Sequence, residues 1–163
     1  MVDVQTISIV MASASVMAGI VYYAFQIRHQ NRMRETDLIM RLYSAYGNEE
    51  YSEVVNRYLA SEYRDYDDFV KKYGPFPSEG SVQVAFRTIG MFYEGVGILL
   101  NRKLVNPDLV YDLFNVELFW EKMKPIAEGE RKRLNYPNLW EYFEYLYNEW
   151  KKRERKPVQS KKG

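Results

Sequence analysis

From Val4 to Ile27 the chain reads VQTISIVMASASVMAGIVYYAFQI, a run without a single charged side chain. No other stretch limits the fold so strongly. Roughly two dozen helical residues, each rising about 1.5 Å, reach about 36 Å, enough to cross the hydrocarbon of a bilayer with some tilt. The polar members Gln5, Thr6, Ser8, Ser13, Ser15 and Gln26 are uncharged, and the hydroxyls can bond back to the helix's own carbonyls. The expectation is one transmembrane helix, with residues 1–27 as an N-terminal anchor.

The flanks set its direction. Asp3 precedes the run, whereas Arg28, Arg32, Arg34 and Arg41 follow it closely, and basic residues stay on the cytoplasmic side. The expected topology is single-pass in the plasma membrane, N-terminus outside and C-terminal domain in the cytoplasm. Tyr22, Tyr23, Arg28 and Arg32 are the expected membrane-surface contacts, rings at the headgroups and cationic stems reaching water. Ala12-Ser13-Ala14 matches a signal-peptidase pattern, but there is no basic n-region and the apolar run continues beyond it. An uncleaved signal anchor fits better. Ser8, Ala12, Ser15 and Gly19 align small side chains in one stripe that suits a second copy of the chain or another membrane-protein subunit. Many such stripes bind nothing specific, and both readings stay open.

Beyond the anchor, a chain of 163 residues leaves room for one modest domain, placed at residues 28–150, and a basic end at 151–163. Lys151, Lys152, Arg153, Arg155, Lys156, Lys161 and Lys162 crowd that end, which reads either as a solvated, disordered tail or as a lipid-facing one. Nucleic-acid binding is a weaker third reading, since net charge is only +1 and no nucleic-acid module precedes the tail.

From Gln26 to Tyr46 neither proline nor glycine intervenes, so the anchor helix is expected to continue to a stop at Gly47, with Leu38, Leu42, Ala45 and Tyr46 on one face. Asn48 can cap a second helix, with Glu49 and Glu50 in its first turn and Val54, Val55, Tyr58 and Leu59 as its apolar face. A short helical segment near Asp67 to Tyr73 precedes the breaker Gly74-Pro75-Phe76-Pro77. Val82, Ala85, Ile89, Phe92, Tyr93, Val96 and Leu99 or Leu100 step by three and four, marking a central helix. That helix carries Gly90, Gly95 and Gly97, each costing about 1 kcal/mol relative to alanine, which close approach of a neighbouring helix would offset. Asn106-Pro107-Asp108 starts the next helix, with Leu109, Leu113, Val116 and Trp120 facing the core, and Pro125 kinks or ends it. Asn135-Tyr136-Pro137 opens the last helix, with Leu139, Phe143, Leu146 and Trp150 inward. No stretch keeps a period of two, so the fold class is all-α, the anchor continuing into a cytosolic bundle of about five to six helices.

The chain lacks the usual chemical equipment. There is no cysteine, and His29, the only histidine, stands among arginines beside the expected membrane surface. Thiolate or histidine metal sites, cysteine nucleophiles and di-iron Glu-x-x-His pairs are thereby set aside, no phosphate-binding Gly-x-x-x-x-Gly-Lys loop occurs, and neither metal nor cofactor is expected. What remains is a polar cluster: Glu94 in the central helix, Glu121 near Trp120, Arg131, and Glu144 beside Phe143. Glu94, flanked by Gly90 and Gly97, either pairs with Arg131 in a partly enclosed setting or stays solvated.

The segment Phe92-Tyr93-Glu94-Gly95-Val96-Gly97-Ile98-Leu99-Leu100 is followed by Leu104-Val105, Leu109-Val110-Tyr111, Trp120-Glu121, Pro125, Arg131, Pro137 and Trp140 to Phe143-Glu144. In this the chain resembles a prokaryotic family of unknown function, domain-of-unknown-function family 4760. The resemblance implies a single N-terminal membrane helix followed by an all-helical domain, and brings no catalytic residues. The function expected is that of a non-catalytic interaction or scaffold protein, or an accessory subunit of a membrane complex at the inner leaflet. The alternative is a membrane-bound enzyme or ligand sensor using the carboxylate and arginine cluster; the ligand is not specified by the sequence.

Overall fold

The computed structural model describes residues 3–76 and 78–154, with the side chains of residues 4–10, Ala45 and Glu154 outside that description. The described residues form seven helices and no strand: α1 (Val4–Tyr46), α2 (Glu49–Ala60), α3 (Tyr66–Tyr73), α4 (Ser81–Asn101), α5 (Pro107–Leu113), α6 (Val116–Leu134) and α7 (Glu141–Glu154). Pro77 and the basic residues from Arg155 onward lie outside them.

Several starts follow from side chains that accept the first free N–H groups of a helix. Asn48 Oδ1 accepts from the Tyr51 N–H at 2.6 Å, Asp65 Oδ1 from Asp68 at 2.8 Å, and Asn106 Oδ1 from Asp108 at 2.8 Å, ahead of Pro107. Three boundaries differ from expectation. The helix begun at Pro107 ends at Leu113, and Asn115 caps a new one, so Leu109 remains 37 % exposed while Val116 and Trp120 are buried from α6. Pro125 neither ends nor starts a segment; it lies within α6, which runs on to Leu134. The last helix begins at Glu141 and not at 135–137, because Asn135 takes a left-handed conformation (φ 50°) that closes α6 and a turn follows.

The chain divides into two compact units, Met1–Leu38 and Ile39–Gly163. In the first, every side chain from Met11 through Arg34 is exposed. Among the described residues no helix is long and apolar enough to cross a membrane. The expected span is not met: from Met11 to Ile27 the polar Ser13, Ser15, Tyr22, Tyr23 and Gln26 dilute the apolar residues, and Arg28 ends the run.

The second unit is built around α4, which packs chiefly on α7 and α2. Ala85, Phe86, Ile89, Tyr93, Val96 and Leu100 are buried from it, as the three-and-four spacing requires. Rings fill the core: Tyr93 stacks on Phe143 with centroids 4.6 Å apart, and Tyr58 meets Phe86 at 4.3 Å. The fully buried Tyr58 hydroxyl donates to the Phe119 carbonyl at 2.7 Å, so its polar end is not left unpaired. From the end of α1, Ile39 is buried and Leu42 and Tyr46, on the expected face, are half-buried against the core, whereas Leu38 is exposed.

Two of the three glycines of α4 have the predicted neighbour. A Cβ on Gly97 would overlap the Tyr142 backbone carbonyl, and one on Gly90 would lie 2.6 Å from the Trp140 indole nitrogen. Gly95 has nothing within 4 Å of where a Cβ would stand.

Candidate functional site

The site is the N-terminal end of α7. The Glu141 N–H bonds the Asn138 carbonyl and the Glu144 N–H the Trp140 carbonyl, each at 3.2 Å, which leaves the Tyr142 and Phe143 N–H groups to be capped; the preceding residue is Trp140, whose indole cannot accept a hydrogen bond. Trp140 is held at φ 55°, an uncommon backbone state for a bulky side chain. In that state its ring, 8 % exposed, lies against Gly90 and edge-on to Phe76 at 5.7 Å.

The missing cap comes from another helix. The Phe143 N–H donates to Glu94 Oε2 at 2.8 Å, and the Tyr142 N–H also bonds the same carboxylate. Phe143 is the third residue of α7, the position whose N–H an N-cap side chain ordinarily takes. Glu94 therefore places negative charge at the positive end of the α7 dipole. Burial is nonetheless the largest influence on Glu94 and raises its carboxyl above the usual range. The two N–H bonds pull it down, Glu141 pushes it up, and Arg131 lowers it only at longer range.

The direct Glu94–Arg131 ion pair is not formed. Arg131 Nε donates to the Leu139 carbonyl at 2.8 Å and Nη1 to Glu144 Oε2 at 2.7 Å, while Nη2 is buried without a protein acceptor among the described residues. Arg131 thus clamps the turn before α7 to its first turn. Three of the four cluster residues meet here. Glu121 does not join them: it is exposed and accepts from the Tyr147 hydroxyl.

A second polar centre is one that the sequence does not single out. Glu130 is fully buried; its Oε1 accepts from the Tyr66 hydroxyl at 2.7 Å and the Phe76 N–H at 3.4 Å, its Oε2 from Arg133 at 2.6 Å. Tyr66 is pushed up to about 12, by burial first and then by Glu130. The Glu130-x-x-Arg133 spacing is the available signal, since residues three apart share a helix face. Lys122 escapes sequence reasoning likewise. Its ammonium, lowered by burial, donates to the Leu59 and Ser61 carbonyls at 3.0 and 2.5 Å and closes the end of α2.

In α1, Ala12, Ser15 and Gly19 are exposed, Ser15 Oγ bonds back to the Met11 carbonyl at 2.9 Å, and Ser8's side chain lies outside the description. Tyr22, Tyr23, Arg28 and Arg32 are exposed as well. Lys151, Lys152 and Arg153 are helical and paired with Glu117, Glu149 and Asp108 at 2.7, 2.5 and 2.6 Å. No group of His, Asp and Glu among the described residues has the arrangement of a metal site.

Residues 13–150 match the model of the family described as Domain of unknown function (DUF4760). The chain belongs to this family. No curated protein and no solved structure matches the chain. The DUF4760 match covers both Glu94 and the turn that it caps, together with the Glu130 centre.

Proposed function

We propose that this DUF4760 chain is a non-catalytic, membrane-anchored interaction protein: α1 holds it in the bilayer with the N-terminus outside, and the helical unit serves as a scaffold or accessory subunit at the inner leaflet. One observation carries the reading. From Met11 to Ile27 α1 has no charged side chain, and Met11, Val16, Met17, Ile20, Val21, Tyr22, Tyr23, Phe25 and Ile27 are all exposed. A helix apolar on every side is stable only where water is removed from all of it. The residues needed for full spanning length are 4–10, ahead of the described side chains. Arg28, Arg32 and Arg34 directly after the run support the orientation.

Alkaline extraction of native membranes tests the anchor: the full chain is expected to stay in the pellet, and release into the supernatant overturns it. Affinity purification from the same membranes tests the interaction. A lone monomer in detergent with no co-purifying subunit overturns the scaffold role while leaving the anchor standing.

The second reading, a ligand sensor, is favoured by the meeting of Glu94, Arg131 and Glu144 at one end of α7. Because all three are engaged in fastening that helix, the arrangement favours binding over proton transfer. An enzyme reading lacks a nucleophile.

A further inference from the structure

Gly95 is the residue that the packing of α4 does not explain. Gly90 and Gly97 admit Trp140 and Tyr142, but at Gly95 a Cβ would meet nothing within 4 Å, so a residue costing about 1 kcal/mol in a helix is retained with no neighbour to accommodate. What it does is keep the floor of a groove open. The groove runs between α4 and the turn ahead of α7, has a volume of about 340 Å³, and is lined by Met91, Ile98, Tyr136 and Trp140 around Gly95 and Glu94. That volume is within the range of small-molecule sites, roughly 300–1,000 Å³. Among the described residues, Glu94 is the only charged side chain lining it. Thioether, aliphatic and aromatic walls around one carboxylate suit a ligand with an apolar body and one positive charge, which rings also favour.

The geometry points to this groove as a binding site for an organic cation, an ammonium group set against Glu94 with its hydrocarbon part along Met91, Gly95 and Ile98. The carboxyl is raised by burial despite its two N–H partners, so its charge is under-compensated in the folded chain and a cation entering the groove restores the balance. The inference deepens the ligand-sensor reading by naming the ligand class. It is independent of anchoring, which extraction tests separately.

The test is calorimetric titration of the full chain in a non-ionic detergent with 2-phenylethylammonium, and with 2-phenylethanol as the neutral probe of like shape. Saturable binding of the cation, at least about tenfold tighter than the alcohol, is expected, at millimolar affinity or better. Glu94→Gln should bring the cation to the alcohol's affinity. Gly95→Leu should abolish both signals by filling the groove, with helicity retained and Tm not lowered, since that position is open. No saturable heat with the cation, equal affinity for the two probes, or unchanged binding in Gly95→Leu overturns the inference.

Discussion

Gly97 of α4 and the Tyr142 carbonyl of α7 meet with no room for a side chain between them. The closest approach of the two helices thus falls three residues after Glu94, and the same approach lets the Glu94 carboxylate reach the Phe143 N–H. Packing and capping at this corner are one arrangement: separating the helices by the width of a methyl group removes both.

Gly97→Ala is therefore expected to destabilise the fold by about 2–3 kcal/mol or more, the range of overpacked cores, because the obstacle is backbone. Gly95→Ala, two residues away, should stabilise by up to about 1 kcal/mol from helix propensity alone. Urea denaturation of both variants gives the comparison; shifts of the same sign would refute it.

Glu94 also sets a dependence on pH with an unusual sign. Its carboxyl is raised in the folded chain, chiefly by burial, so the folded state binds a proton more readily than the unfolded one. The contribution of this group to stability is fully present below the ordinary glutamate range and is lost as pH rises through the raised value. Asp68 works oppositely: Lys72 and the Arg64 N–H lower it, so its contribution is present above the ordinary range and lost as pH falls. Tm measured against pH should differ between wild type and Glu94→Gln mainly through this window, with the wild type losing ground relative to the variant on the alkaline side. Parallel profiles would count against the assignment.

Glu130→Ala should cost at least about 3 kcal/mol, because it leaves the Arg133 guanidinium, the Tyr66 hydroxyl and the Phe76 N–H without their shared acceptor. In a double-mutant cycle with Tyr66→Phe, the two losses should be less than additive. Full additivity would mean that the two groups do not act together.

How much of this is readable from sequence depends on whether a feature is local. The Asn48 and Asn106 caps and the α4 stripe are set within a few residues, and each is where its sequence places it. Glu94, Arg131 and Glu144 can be grouped, though with Glu121 wrongly among them, because a carboxylate between glycines and an arginine able to pair with it narrow the choices. The partner that Glu94 takes cannot, since it is a pair of backbone N–H groups left uncapped by Trp140, whose left-handed state no propensity indicates. Pro125 misleads for the reverse reason: tertiary packing of Met123, Ile126 and Ala127 holds one helix across a residue that locally argues for two.

Lys103→Gly should stabilise by about 0.5–1 kcal/mol. Lys103 closes α4 at φ 55°, its N–H on the Leu100 carbonyl at 2.9 Å and that of Leu104 on Leu99 at 2.9 Å, a hydrogen-bonded stop that glycine adopts without a Cβ penalty. Thermal denaturation decides it, and a lower Tm would show that the lysine side chain contributes more than its backbone state costs.

The Glu130 centre bears on the order of folding. Its acceptor oxygens sit on α6, but the groups they need come from Tyr66 and Phe76, sequence separations of 64 and 54 residues. Helical proteins fold fast because most of their contacts are local; these are not. A chain that packs α6 before α3 docks would bury a carboxylate facing only Arg133, so the docking of α3 and the loop at Phe76 is expected to be the step that commits the domain. The Phe76 amide should then exchange with solvent only as fast as the whole domain opens, and early exchange there would show the commitment lies elsewhere.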